Sequence, residues 1–95
     1  MNIKYSRRAL AQLASIYEYL SARNLNAAHV VRASIMETIA RLKHLPLLGK
    51  LTDEADVHVL IEPQYLYRVF YRVERGVVFV IRILHRSQGE RGRQR

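Results

Sequence analysis

Apolar positions along the chain change their spacing twice, and each change marks a new kind of element. Ile3 and Tyr5 alternate with polar neighbours, the period-2 pattern of a short strand with one covered face. From Ala9 the spacing lengthens. Ala9, Leu10, Leu13, Ile16, Tyr17 and Leu20 recur at three- and four-residue steps, which puts them on one stripe of a helix over residues 7–22. Ser6 stands just ahead of it, where a side-chain oxygen can accept from an otherwise unpaired N–H, and predicts the N-cap. Arg23-Asn24-Leu25-Asn26 breaks the stripe, and Asn24 or Asn26 can cap a second helix over residues 27–44. Its buried stripe is Ala28, Val31, Ile35, Thr38, Ile39 and Leu42, and Pro46 and Gly49 stop it. So short a link between the helices predicts an antiparallel hairpin.

Residues 47–56 read as a loop carrying Lys50, Asp53, Glu54 and Asp56. From Val57 the period returns to two. Strands are predicted over 57–61, ended by Glu62-Pro63, over 65–73, and over 77–84, with Glu74-Arg75-Gly76 as the turn between the last two. The final strand is apolar on both faces apart from Arg82, so it belongs in the interior of the sheet. The order β-α-α-β-β-β predicts an α+β fold, a helical hairpin packed on one face of a mainly antiparallel sheet. Residues 1–86 make one domain. Residues 87–95 form a basic tail with Arg91, Arg93 and Arg95 and no apolar periodicity, expected to be mobile when unbound.

The hairpin turn sets which side chains share a face. A three-residue loop places Val73 opposite Val77, and then Tyr71 opposite Phe79, Val69 opposite Ile81 and Tyr67 opposite Ile83, an apolar face for the helices to cover. The other face carries Leu66, Arg68, Phe70 and Arg72 against Leu84, Arg82, Val80 and Val78. Arg68 then faces Arg82 across the ladder, with Arg72 nearby. Like charges in that position destabilise a ladder by something on the order of 0.2–1 kcal/mol. Either an anion sits between them (a phosphate, or a carboxylate from a partner or a neighbouring loop), or both guanidinium groups reach into water on stems that cover Phe70 and Leu66. His85 ends the last strand and Arg86 follows. His85 is positioned either as an acid–base group or simply as a polar residue closing the sheet. His58 alternates with Val57 and Val59, on the same side as Leu60 and Glu62.

Composition narrows the function. The chain has 95 residues and a formal charge of +8, an excess that favours nucleic acid or an acidic protein as partner. It contains no cysteine, so it has no disulfide, no thiolate nucleophile and no thiolate metal ligand, which fits the reducing cytoplasm. The longest apolar run, Val77 to Ile81, is far below the roughly 20 residues that span a bilayer, so no membrane span is expected. His29 and His44 are too far apart on one helix to share a metal, and there is no glycine-rich phosphate loop and no Ser/His/Asp signature. No cofactor is expected.

The element order resembles the RelE/ParE superfamily of toxins from type II toxin–antitoxin systems, over nearly the whole chain from Ile3 to Arg86. Ile3-Lys4-Tyr5-Ser6-Arg7-Arg8-Ala9-Leu10, with Leu13 and Ile16-Tyr17-Glu18-Tyr19-Leu20, is similar to the family's first strand and helix. Asn26-Ala27-Ala28, Ile39, Leu42, Pro46 and Gly49 resemble the next stretch. Pro63-Gln64-Tyr65-Leu66-Tyr67-Arg68-Val69-Phe70-Tyr71-Arg72-Val73 resembles the central hairpin, and Ile81-Arg82-Ile83-Leu84-His85-Arg86 the closing strand with its terminal histidine. The long helical hairpin and the Tyr-x-Tyr pattern look closer to ParE than to RelE. The resemblance implies a cytoplasmic, growth-inhibiting toxin neutralised by a cognate antitoxin whose flexible acidic segment folds onto it. A dimer or a hetero-oligomer with that antitoxin is compatible with it.

A ParE-like toxin would inhibit DNA gyrase by contact, without an active site. A RelE-like toxin would cut messenger RNA at the ribosome, with Arg68, Arg82 and His85 as the candidate catalytic set. Two departures from the family pattern, His58 at a strand position where an arginine is common and Ser87-Gln88 where a second basic residue often follows the histidine, leave open an inactive relative that only binds antitoxin. The ribonuclease set is incomplete, with Glu62 the nearest strand-borne carboxylate. The residues expected to contact target or antitoxin are His58, Tyr65, Leu66, Arg68, Phe70, Arg72, Arg82, His85 and Arg86.

Overall fold

The computed structural model describes residues 1–85. Strand β1 (Asn2–Tyr5) leads into helix α1 (Arg7–Ser21), then helix α2 (Leu25–Ala40) and a single 3-10 turn (Arg41–Lys43). Strands β2 (Lys50–Leu51), β3 (His58–Ile61), β4 (Tyr67–Glu74) and β5 (Val77–His85) follow. Ser6 caps α1 by accepting from Ala9 N at 2.9 Å, and Asn24, rather than Asn26, caps α2 through Ala27 N at 3.0 Å. α2 ends four residues earlier than its stripe implies, because Arg41–Lys43 tighten into the 3-10 turn that drops Leu42, fully buried, into the core. None of the described helices is long and apolar enough to cross a membrane.

The five strands form one sheet in the order β1-β5-β4-β3-β2. β1 runs parallel to β5 and the other pairings are antiparallel. The two helices cover one side. Ala9 and Leu13 of α1 and Val31, Ile35 and Ile39 of α2 pack on Val69, Val80 and Ile83. A second buried group, Leu42, Tyr71 and Val78, continues the core toward the far end of the sheet. The α+β architecture and the placement of β5 inside the sheet match the expectation from the pattern.

The hairpin register differs from it. Glu74 pairs with Val77, so the loop has two residues, Arg75 and Gly76, both in the left-handed region at φ 50° and 78°. Paired left-handed residues give a two-residue turn whose twist matches that of the strands. Val73 therefore faces Val78, and Tyr71 faces Val80. A bulge then shifts the register, so that Phe70 faces Arg82 and Arg68 faces Leu84. The slip reverses the faces of residues 77–81: Val78 and Val80 are buried under the helices, and Val77, Phe79 and Ile81 are not. The bulge restores the expected faces beyond it. The expected pairing of Arg68 with Arg82 does not occur.

β4 also begins later than expected. Residues 63–66 form a turn, with Leu66 at φ 66°. Glu62 organises it from inside the protein. Its carboxylate accepts from Ser34 Oγ at 2.6 Å, Gln64 N at 2.9 Å, Tyr65 N at 2.9 Å and Tyr67 N at 3.4 Å.

Candidate functional site

Alternation along β4 sends Arg68, Phe70 and Arg72 to the side away from the helices, and Arg82 and Leu84 of β5 join them. Phe70 is only 2% exposed although no helix covers it. Its cover is cationic: the Arg82 Cζ lies 4.1 Å and the Arg68 Cζ 5.6 Å from the ring centroid. Each such contact is worth about 0.5–1 kcal/mol at an exposed site and more when desolvated. The two arginines meet across one aromatic ring instead of facing each other across the ladder.

A carboxylate is already present. Arg82 Nη2 donates to Glu54 Oε1 at 2.9 Å, with the side chains 12% and 38% exposed respectively. Glu54 is held there by its own loop. Thr52 Oγ1 donates to the Val57 carbonyl at 2.9 Å and accepts from Glu54 N at 3.1 Å, while Val57 N closes onto the Glu54 carbonyl at 3.1 Å. Of the anions offered by the sequence, the neighbouring-loop carboxylate is the one in place. The signal for it was the cluster Asp53, Glu54 and Asp56 just ahead of β3.

The other candidate residues separate. Arg72, half-buried opposite Phe79, extends the cationic face toward the hairpin turn. His58 lies on the opposite side of the sheet: it pairs with Tyr71 and stacks on its ring at 5.2 Å and 20°. Its Nδ1 is buried without a hydrogen-bond partner among the described residues. His85 likewise faces the helix side, opposite Tyr67, whose ring it meets edge-on at 5.1 Å. There it lines an open cavity of about 790 Å³ with Arg8, Gln12, Tyr19 and Tyr67. Arg68 Nη2 donates to the His85 carbonyl at 3.2 Å. Tyr65 packs against the helical core, Leu66 sits half-buried in the turn, and Arg86 lies outside the described residues.

Glu62, the carboxylate that the sequence offered beside the arginine set, is fully buried. Burial pushes its pKa up, but the Ser34 hydroxyl and the N–H groups of Tyr65, Gln64 and Tyr67 outweigh that and leave it below the ordinary value. It is an ionised group committed to its turn. Among the described residues no three His, Cys, Asp or Glu side chains cluster as a metal site would.

Sequence reasoning missed two polar groups that shape the sheet. β1 pairs only with Val77–Val80, which leaves the outer edge of β5 open beyond that point. α1 closes it with side chains. Ser6 Oγ donates to the Ile81 carbonyl at 2.8 Å, and Gln12 Oε1 accepts from Ile83 N at 2.7 Å. Nothing in the local pattern marks Gln12, because its partner is 71 residues away.

A helical hairpin on one side of a five-stranded mixed sheet is the fold of known toxin–antitoxin structures. The chain matches a chain of the chromosomal ParDE system from P. aeruginosa with a TM-score of 0.81 and 23% identity, over 90% of this chain and 95% of that one. It matches the intact E. coli RelBE toxin–antitoxin complex at 0.67 and 23% identity, over 95% and 98% of the two chains. The isolated E. coli RelE toxin matches at 0.67 and 22%, over 94% and 87%. No curated protein matches the chain in sequence. The family model for the ParE toxin of the type II toxin–antitoxin system parDE matches residues 3–89, and the chain belongs to that family.

Proposed function

We propose that this toxin is cytoplasmic, is neutralised by a cognate antitoxin with an acidic segment, and inhibits DNA gyrase by contact through the outer face of its sheet. The observation that carries the reading is the placement of Arg68 and Arg82 over the buried ring of Phe70, with Arg72 on the same face, on the side the helices leave uncovered. Such a face binds a carboxylate- or phosphate-bearing surface by charge and by the flat faces of the guanidinium groups. The ribonuclease reading is less well supported. A general acid–base group must lie within hydrogen-bond reach of the groups that hold the phosphate, and the His85 ring is on the other side of the sheet from the guanidinium groups of Arg68 and Arg82.

The test is expression of the chain with parallel measurement of DNA supercoiling, DNA breaks and protein synthesis. Broken or relaxed DNA with early protein synthesis spared is the expected result. Rapid arrest of translation with intact DNA would reverse the assignment in favour of messenger RNA cleavage. Loss of neither would mark a relative that only binds antitoxin. Arg68→Ala with Arg82→Ala should reduce both toxicity and antitoxin affinity. Unchanged values for both would remove the outer face from the reading.

A further inference from the structure

Helix α1 carries a second stripe that packing does not use. Its apolar stripe, Ala9, Leu13, Ile16 and Leu20, faces the core. One position ahead of each, Arg8, Gln12, Ser15 and Tyr19 recur at three- and four-residue steps and so lie along one line of the helix. At about 1.5 Å per residue that line is about 16 Å long. It overlooks the end of β5. β1 pairs with β5 only as far as Val80, so residues 81–85 run on without a neighbouring strand on that edge among the described residues. The space left between α1 and the sheet is the open cavity of about 790 Å³. Tyr67 and His85 complete its wall from the sheet side, and Ile16 and Ile83 add apolar surface.

The lining groups narrow the ligand. Among the described residues no Asp or Glu lines the cavity, and Arg8 makes no ion pair. Gln12 commits its Oε1 to Ile83 N, which leaves its Nε2 to donate elsewhere. The hydroxyls of Ser15, Tyr19 and Tyr67 make no hydrogen bond to a described residue. Burial, and then Glu62 and Tyr19, raise the Tyr67 pKa, so its hydroxyl keeps the proton it would donate. The Tyr19 ring is held in place by Arg23, whose Cζ lies 3.9 Å from the ring centroid and whose Nη1 donates to the Tyr19 carbonyl at 3.1 Å. A cation thus stands at one end of the line, aromatic rings at the other, and groups that pair with hydroxyls between them. A lone inorganic anion would use one end only, and an acyl chain would leave the polar groups unpaired. We infer that the cavity between α1 and the end of β5 binds a mononucleotide, its phosphate on Arg8 and its base against Tyr19, Tyr67 and His85. The inference does not depend on the reading of the arginine face, which lies on the other side of the sheet.

The test titrates the full-length, isotope-labelled chain with each common ribonucleoside 5′-monophosphate. The parent nucleosides, ribose 5-phosphate, inorganic phosphate and benzoate are separate arms. The expected result is amide shifts concentrated in residues 8–19 and 83–85 with at least one monophosphate, which binds about tenfold or more tighter than every other arm. Arg8→Gln should weaken the monophosphate about tenfold and leave its nucleoside unchanged. Tyr19→Ala should weaken both by a similar factor with little change in Tm, since the ring is 60% exposed. Arg72→Gln should alter neither. The inference fails if no monophosphate binds, if the shifts fall elsewhere, if phosphate or benzoate binds as tightly, or if Arg8→Gln has no effect. It fails equally if a short oligonucleotide perturbs the same amides at lower concentration than any monophosphate, since the occupant is then a polymer.

Discussion

At the scale of single residues, two carboxylates have opposite roles. Glu62 is buried and ionised, and its four donors hold the turn before β4. Glu62→Gln replaces one accepting oxygen with a donor that confronts N–H groups, and should cost about 1–3 kcal/mol, read as a lower urea midpoint. Its pKa is lowered on folding, so the unfolded chain binds the proton more readily than the folded one. The stabilisation is therefore complete above the unfolded-state value and fades as pH falls through the folded-state value. The wild type should lose stability over that acidic window more steeply than the Gln variant does. Glu54, half-exposed, instead occupies Arg82, and an acidic ligand at the outer face must displace it. Glu54→Gln should change stability by no more than about 1 kcal/mol, yet raise antitoxin affinity several-fold in a titration at constant ionic strength. Unchanged affinity would mean that the partner does not use Arg82.

At the scale of elements, the existence and order of the two helices and of β1, β3, β4 and β5 were legible because they depend on local spacing, whereas the two-residue β2 lay within what read as a loop. The N-caps at Ser6 and Asn24 were legible because a cap's partner lies three residues away. The hairpin register was not. The run Glu74-Arg75-Gly76 allows a two- or a three-residue loop, and the choice depends on Arg75 adopting positive φ, which its side chain disfavours. The bulge beside Phe70 leaves no mark in a sequence that is apolar on both faces of β5. The arginines were therefore assigned to the right face with the wrong neighbours. The turn makes its own prediction. Arg75→Asn supplies a residue that tolerates the left-handed region, and should stabilise the chain by about 0.5–1 kcal/mol. Gly76→Ala should destabilise it by about 1–2 kcal/mol through backbone conformation alone, because a Cβ there meets nothing within 4 Å. Thermal melts of the two variants should move in opposite directions.

At the scale of the whole molecule, the charge excess and the fold act together. Sixteen Lys and Arg stand against eight Asp and Glu, and three of the eight, Asp53, Glu54 and Asp56, lie in the loop from which Glu54 reaches Arg82 on the outer face. The net field of the chain is thus strongly positive, and the proposed acidic antitoxin would be steered toward it from a distance before any specific contact forms. Steering of this kind acts on the association rate and is screened over about 10 Å at 0.1 M salt. Close contacts on the arginines that cover Phe70 would act mainly on dissociation. Stopped-flow binding of the antitoxin should therefore show an association rate that falls by about tenfold or more between low and high ionic strength, with a much smaller change in dissociation. Arg72→Gln, exposed enough to sense salt and away from the Phe70 contact, should reduce the association rate and its salt dependence together. Arg82→Gln should speed dissociation instead, because its guanidinium lies over the aromatic ring in a partly desolvated site. If both variants changed only dissociation, and salt left the association rate flat, the +8 charge would have no part in partner capture.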